Sequence, residues 1–103
     1  MSRGPDAGTA LRRAVERDAR RAGCVVAIAA TEATHWASAT FVGARHRLTL
    51  DGADGSILDA WLDALPEADL PIRGHLVADL VIVSRHRAAG RMAALIEALT
   101  VEA

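Results

Sequence analysis

The chain has no lysine, asparagine, glutamine or tyrosine, and its only cysteine is Cys24. One cysteine cannot form an internal disulfide. It falls in an apolar stretch, which points to a buried, inert thiol and a reducing compartment. Aromatics are scarce too, with Trp36, Trp61 and Phe41 the whole set. Every basic side chain is arginine, a bias expected of GC-rich bacterial coding, and it lowers the information carried by any one of them. No apolar run reaches membrane-spanning length, and Met1 to Ala10 lacks the apolar segment of a signal peptide. Cytoplasm is the expected location, with no membrane partner. A glycine-rich phosphate loop and a glycine elbow around Ser38, Ser56 or Ser84 are also missing.

What remains is a chain of 103 residues, 51% hydrophobic, with a formal net charge of −1. That length suits one core. The near-zero charge argues against nucleic acid as a partner. A domain this small leaves much apolar surface uncovered, which favours a homodimer.

Residues 1–8 are polar and carry glycine and proline, and are expected to form a frayed lead-in to a single domain, 9–103. A helix is expected from Thr9 to Ala22, with Leu11, Val15, Ala19 and Ala22 on one stripe and Gly23 as its stop. Cys24 to Thr31 reads as a strand, Glu32 to His35 as a turn. Trp36–Val42 and Arg45–Leu50 alternate, so Gly43–Ala44 is predicted as a two-residue hairpin turn, with Phe41 and Leu48 inward. Ser56 and Asp59 have capping-box spacing ahead of a helix to Leu65 that buries Ile57, Leu58, Trp61, Leu62 and Leu65. His75 to Val83 is a fourth strand. Met92, Leu95, Ile96 and Leu99 fall at helical spacing in a last helix, Arg87 to Val101. The fold class is therefore α+β: a two-layer sandwich of order α-β-β-β-α-β-α. Its four-stranded mixed sheet has strand order 3-2-1-4, with all helices on one face.

The opening α-β-β-β-α order resembles that of double-stranded-RNA-binding domains. The segment that would meet phosphate, Asp51 to Ser56, is acidic here, which excludes that function.

Two sets of residues are singled out for function. Ser84, Arg85, His86, Arg87 and Arg91 surround the expected start of the last helix. Positive charge there opposes the helix dipole, and a small bound anion or phosphate-bearing molecule would resolve the conflict. The uncovered sheet face is expected to gather Trp36, Ser38, Thr40, Arg47, Thr49, His75 and Asp79, a surface that a second copy of the chain would cover. An enzyme using His75, Asp79 and Arg47 is the third reading. No cofactor and no metal are expected. The four histidines lack ligand spacing, and His75 and Asp79, four residues apart on a strand, stand about 13 Å from each other.

Overall fold

The computed structural model describes residues 6–103; the expected lead-in lies outside them up to Pro5. Helix α1 spans Ala7–Arg21, two residues ahead of the predicted start. Asp6 caps it by accepting the Thr9 amide at 2.7 Å. Leu11, Ala14, Val15 and Ala19 form its buried stripe, and Ala22 is exposed. Arg20 and Arg21 complement the negative end of the dipole. Gly23, at φ 87°, lets the chain turn so that the Cys24 amide reaches the Ala19 carbonyl at 2.8 Å.

Strands β1 (Val26–Ala37) and β2 (Val42–Ala53) form an antiparallel hairpin. Helix α2 (Ser56–Ala64) and a 3-10 turn (Leu65–Glu67) cross over to a second hairpin, β3 (His75–Ala88) and β4 (Arg91–Glu102). The sheet order is β1-β2-β4-β3 and every neighbouring pair is antiparallel. The α+β class and the count of four strands stand; the mixed sheet and the 3-2-1-4 order are corrected.

Three local corrections explain that result. First, the predicted turn at Glu32–His35 is inside β1. Thr31 and Thr34 suit an extended backbone, and an edge strand accepts exposed polar residues. Second, the β1–β2 turn is Ser38–Phe41, not Gly43–Ala44. The Ser38 hydroxyl accepts the Thr40 and Phe41 amides, and the Ser38 amide donates to the Phe41 carbonyl. Gly43 pairs directly with Trp36, whose indole lies where a side chain at residue 43 would project. The glycine marks a close approach within a strand.

Third, the last predicted helix is β4. Its residues pack at period two, with Met92, Ala94, Ile96, Ala98 and Thr100 buried. Leu95, Leu99 and Val101 on the opposite parity add the helical spacing that masks this alternation. Ala89 and Gly90, both at positive φ (52° and 76°), close a two-residue turn between paired Ala88 and Arg91.

One sheet face carries the core. Leu48 and Leu50 of β2 and Met92, Ala94, Ile96 and Ala98 of β4 pack against Leu11 and Val15 of α1 and Leu58, Trp61 and Leu62 of α2. The Trp61 indole donates to Asp18 at 2.9 Å, tying the helices together. Ile57, expected inside, is 60% exposed. The Ser56–Asp59 capping box is not made: Gly55 is the N-cap, with no side-chain hydrogen bond. Cys24 is buried, and burial pushes its thiol pKa up. Among the described residues no helix is long and apolar enough to cross a membrane.

Candidate functional site

Strand pleat decides which of the singled-out residues can act together. On β2, even-numbered residues from Ala44 to Gly52 are buried beneath the helices, so Arg45, Arg47, Thr49 and Asp51 point to the uncovered face. The register extends this face across the sheet. Trp36 stands opposite Gly43, and Arg47 lies between Glu32 and Glu97. Arg45 opposes Leu99, which in turn opposes Asp79.

The expected open-face set therefore separates. Trp36, Arg47, Thr49 and Asp79 do share that face. Ser38 and Thr40 belong to the β1–β2 turn instead. His75 pairs with Glu102, on the parity of the covered face, because the bulge between Val77 and Asp79 shifts the phase of β3. His75, Asp79 and Arg47 are consequently not one constellation.

Near the centre of the uncovered face is a shallow depression of about 250 Å³, lined by Glu32, Thr34, Arg45, Arg47, Asp79 and Glu97 among others. Arg47 Nε meets Glu97 Oε2 at 3.2 Å, with both side chains about half exposed. Around it stand Leu95, Leu99 and Val101, which are half-buried, and Leu76, Val81 and Val83, which are exposed. Trp36 is half-buried, and its indole N–H is enclosed with no acceptor in reach among the described residues.

The arginine cluster also divides. With β4 a strand, Arg87 heads no helix of its own; its guanidinium instead meets Asp54 and Asp59 at the start of α2, and these acids supply the negative charge that an anion was expected to bring. Ser84 and His86 pair with Leu95 and Ala93 on the uncovered face. Arg91, on that face too, reaches Asp51 at 2.7 Å. Arg85 and Arg87 turn to the helix side, where acids from the α2 region meet them. Arg85 contacts Asp59 at 3.0 Å and Asp63 at 2.6 Å; Arg87 contacts Asp54 at 2.9 Å and shares Asp59. Hydrogen bonds from Arg87, then Arg85, hold the Asp59 carboxyl below the usual carboxylate range. Asp54 and Asp59 push the Arg87 pKa upward. These arginines fasten α2 to the β3–β4 hairpin.

A second concave site was not foreseen. A cavity of about 200 Å³ lies between the first turn of α1 and strands β1 and β2, lined by Asp6, Gly8, Thr31, His35, Ala44 and His46 among others. His46 is 3% exposed, and its Nε2 lies 2.8 Å from the Thr100 hydroxyl. Burial, then the neighbouring His35 and His75, lower the His46 pKa, with Asp6 opposing. One signal was available in the sequence. His46 occupies the buried parity of an alternating strand, where an imidazole requires a partner. That partner, Thr100, lay hidden in the misread last element. Among the described residues no group of three histidines, cysteines or carboxylates is placed to hold a metal ion.

No family model matches this chain, and comparisons with curated proteins and with solved structures find no match.

Proposed function

We propose that this is a non-catalytic homodimeric binding or accessory protein that self-associates through its uncovered sheet face. The observation that carries this reading is the contrast between the two faces. One is covered by α1, α2 and the segment that follows α2. The other sets Leu95, Leu99, Val101 and Val81 beside a strip of both charge signs: Glu32, Arg45, Arg47, Asp79 and Glu97. A dyad through such a strip brings acids of one copy toward arginines of the other, as an isologous interface requires. The flanking aliphatic residues supply the apolar area that association needs.

Sedimentation equilibrium tests this directly. The wild type is expected as a dimer at micromolar concentration. Leu99→Arg, on the uncovered face, should give a folded monomer with unchanged far-UV circular dichroism. Leu48→Arg, on the covered face, should instead unfold the chain by burying a charge. A monomeric wild type at high concentration, or a dimer unaffected by Leu99→Arg, removes this reading.

A further inference from the structure

The cavity beside α1 lies on the covered side of the sheet, although Glu32 and His46 line both it and the depression on the uncovered face, and its polar groups have a definite chemical sense. Thr100 donates its hydroxyl proton to the Ala44 carbonyl, at 3.5 Å. With that proton placed on the Ala44 carbonyl, the Thr100 oxygen accepts from His46 Nε2, the tautomer in which Nδ1 presents a lone pair. Nδ1 has no hydrogen-bond partner among the described residues. It lies 3.9 Å from where a Cβ on Gly8 would stand, and Gly8 lines the cavity. The Asp6 carboxylate is 3.7 Å from that same point. Asp6 already offsets the positive end of α1 through the Thr9 amide, which also holds its pKa down and keeps it ionised. Thr31 adds a hydroxyl, and among the described residues no arginine lines the space.

A buried imidazole acceptor, the carboxylates of Asp6 and Glu32 and the Thr31 hydroxyl around one cavity call for a ligand rich in donors. We propose that this cavity is a binding site for the head group of a small primary amine. Its ammonium N–H groups would reach His46 Nδ1 and Asp6, with its carbon chain against Ala33, Ala44 and Leu48. Deep burial disfavours a charge on His46 and preserves its lone pair for the ligand.

Three probes with the same carbon chain decide the matter: n-butylammonium chloride, n-butanol and sodium butyrate, titrated at pH 7.5 and constant ionic strength. The readout is the ¹⁵N resonance of His46 Nδ1. Butylammonium is expected to shift it saturably with a midpoint of about 1–20 mM, the range open to so small a ligand. Butanol should bind at least fivefold more weakly, and butyrate more weakly still. Gly8→Ala places a methyl group between the two acceptors at ordinary contact distance, so the protein stays folded while the space closes. Butylammonium binding should then weaken at least tenfold, with no fall in Tm. Butyrate binding as well as or better than butylammonium would assign the site to the amide end of α1 and overturn the proposal. So would no saturable shift with butylammonium, or a Gly8→Ala midpoint within tenfold of the wild type.

Discussion

Gly43→Ala should be among the most damaging single-methyl additions in this protein. A Cβ on Gly43 would stand 2.0 Å from the Thr100 carbonyl oxygen and 2.8 Å and 3.0 Å from two atoms of the Trp36 indole. The oxygen is about 1 Å inside the closest approach that carbon tolerates, and it belongs to the backbone of β4, so no rotamer change relieves it. Strand β4 must separate from β2 at the Gly43–Val101 pair, and β1 with its indole must shift as well. Overpacking costs about 1–3 kcal/mol, and losing one or two strand hydrogen bonds adds about 1 kcal/mol each. The expected sum is about 2–5 kcal/mol, a large part of the 5–15 kcal/mol that stabilises a typical domain. In a chain of this length it corresponds to a fall in Tm of about 8–40 °C. Urea denaturation followed by tryptophan fluorescence measures the change. Adding Trp36→Ala should recover less than half of the loss, because the Thr100 oxygen stays in place. Gly23→Ala provides the contrast: nothing lies within 4 Å of its Cβ, and only the positive φ is penalised, by about 1 kcal/mol. If Gly43→Ala destabilises no more than Gly23→Ala, the steric reasoning is wrong.

The β3–β4 turn offers a change of opposite sign. Ala89 holds a left-handed conformation that asparagine tolerates better, so Ala89→Asn should stabilise by about 0.5–1 kcal/mol and raise Tm; a lower Tm would refute it. Stability should also decline as pH falls below the ordinary histidine value of 6.5. In the unfolded chain His46 takes up a proton there, while in the folded protein its lowered pKa resists one, so the unfolded state binds more protons and gains. His46→Gln should flatten the dependence of Tm on pH between about 6.5 and 5; an unaltered slope would place the titration elsewhere.

Much of the covered side was legible in the residues alone. The spacing of Leu11, Val15 and Ala19, with Gly23 behind them, specifies α1, because side chains three and four apart share a helix face. Leu58, Trp61, Leu62 and Leu65 specify the inner side of the crossover in the same way. The alternation from Arg45 to Leu50 placed Arg47 outward and Leu48 inward, since a pleat admits only two phases. Two opposite differences leave the strand count at four: the residue pattern divides one strand at Glu32–His35 and gives helical spacing where another strand runs. Met92 to Val101 is apolar on both parities and built of good helix formers, so periodicity and propensity could not identify it. Pairing with β2 and β3 on its two sides decided its conformation, and tertiary hydrogen bonding overrode local preference. The same pairing separates Arg85 and Arg87 from Arg91 and sets Thr100 beneath His46. Residues 54 positions apart meet only when strands lie side by side. Local sequence fixes which face of its own element a residue occupies; only the assembled sheet fixes what lies opposite it.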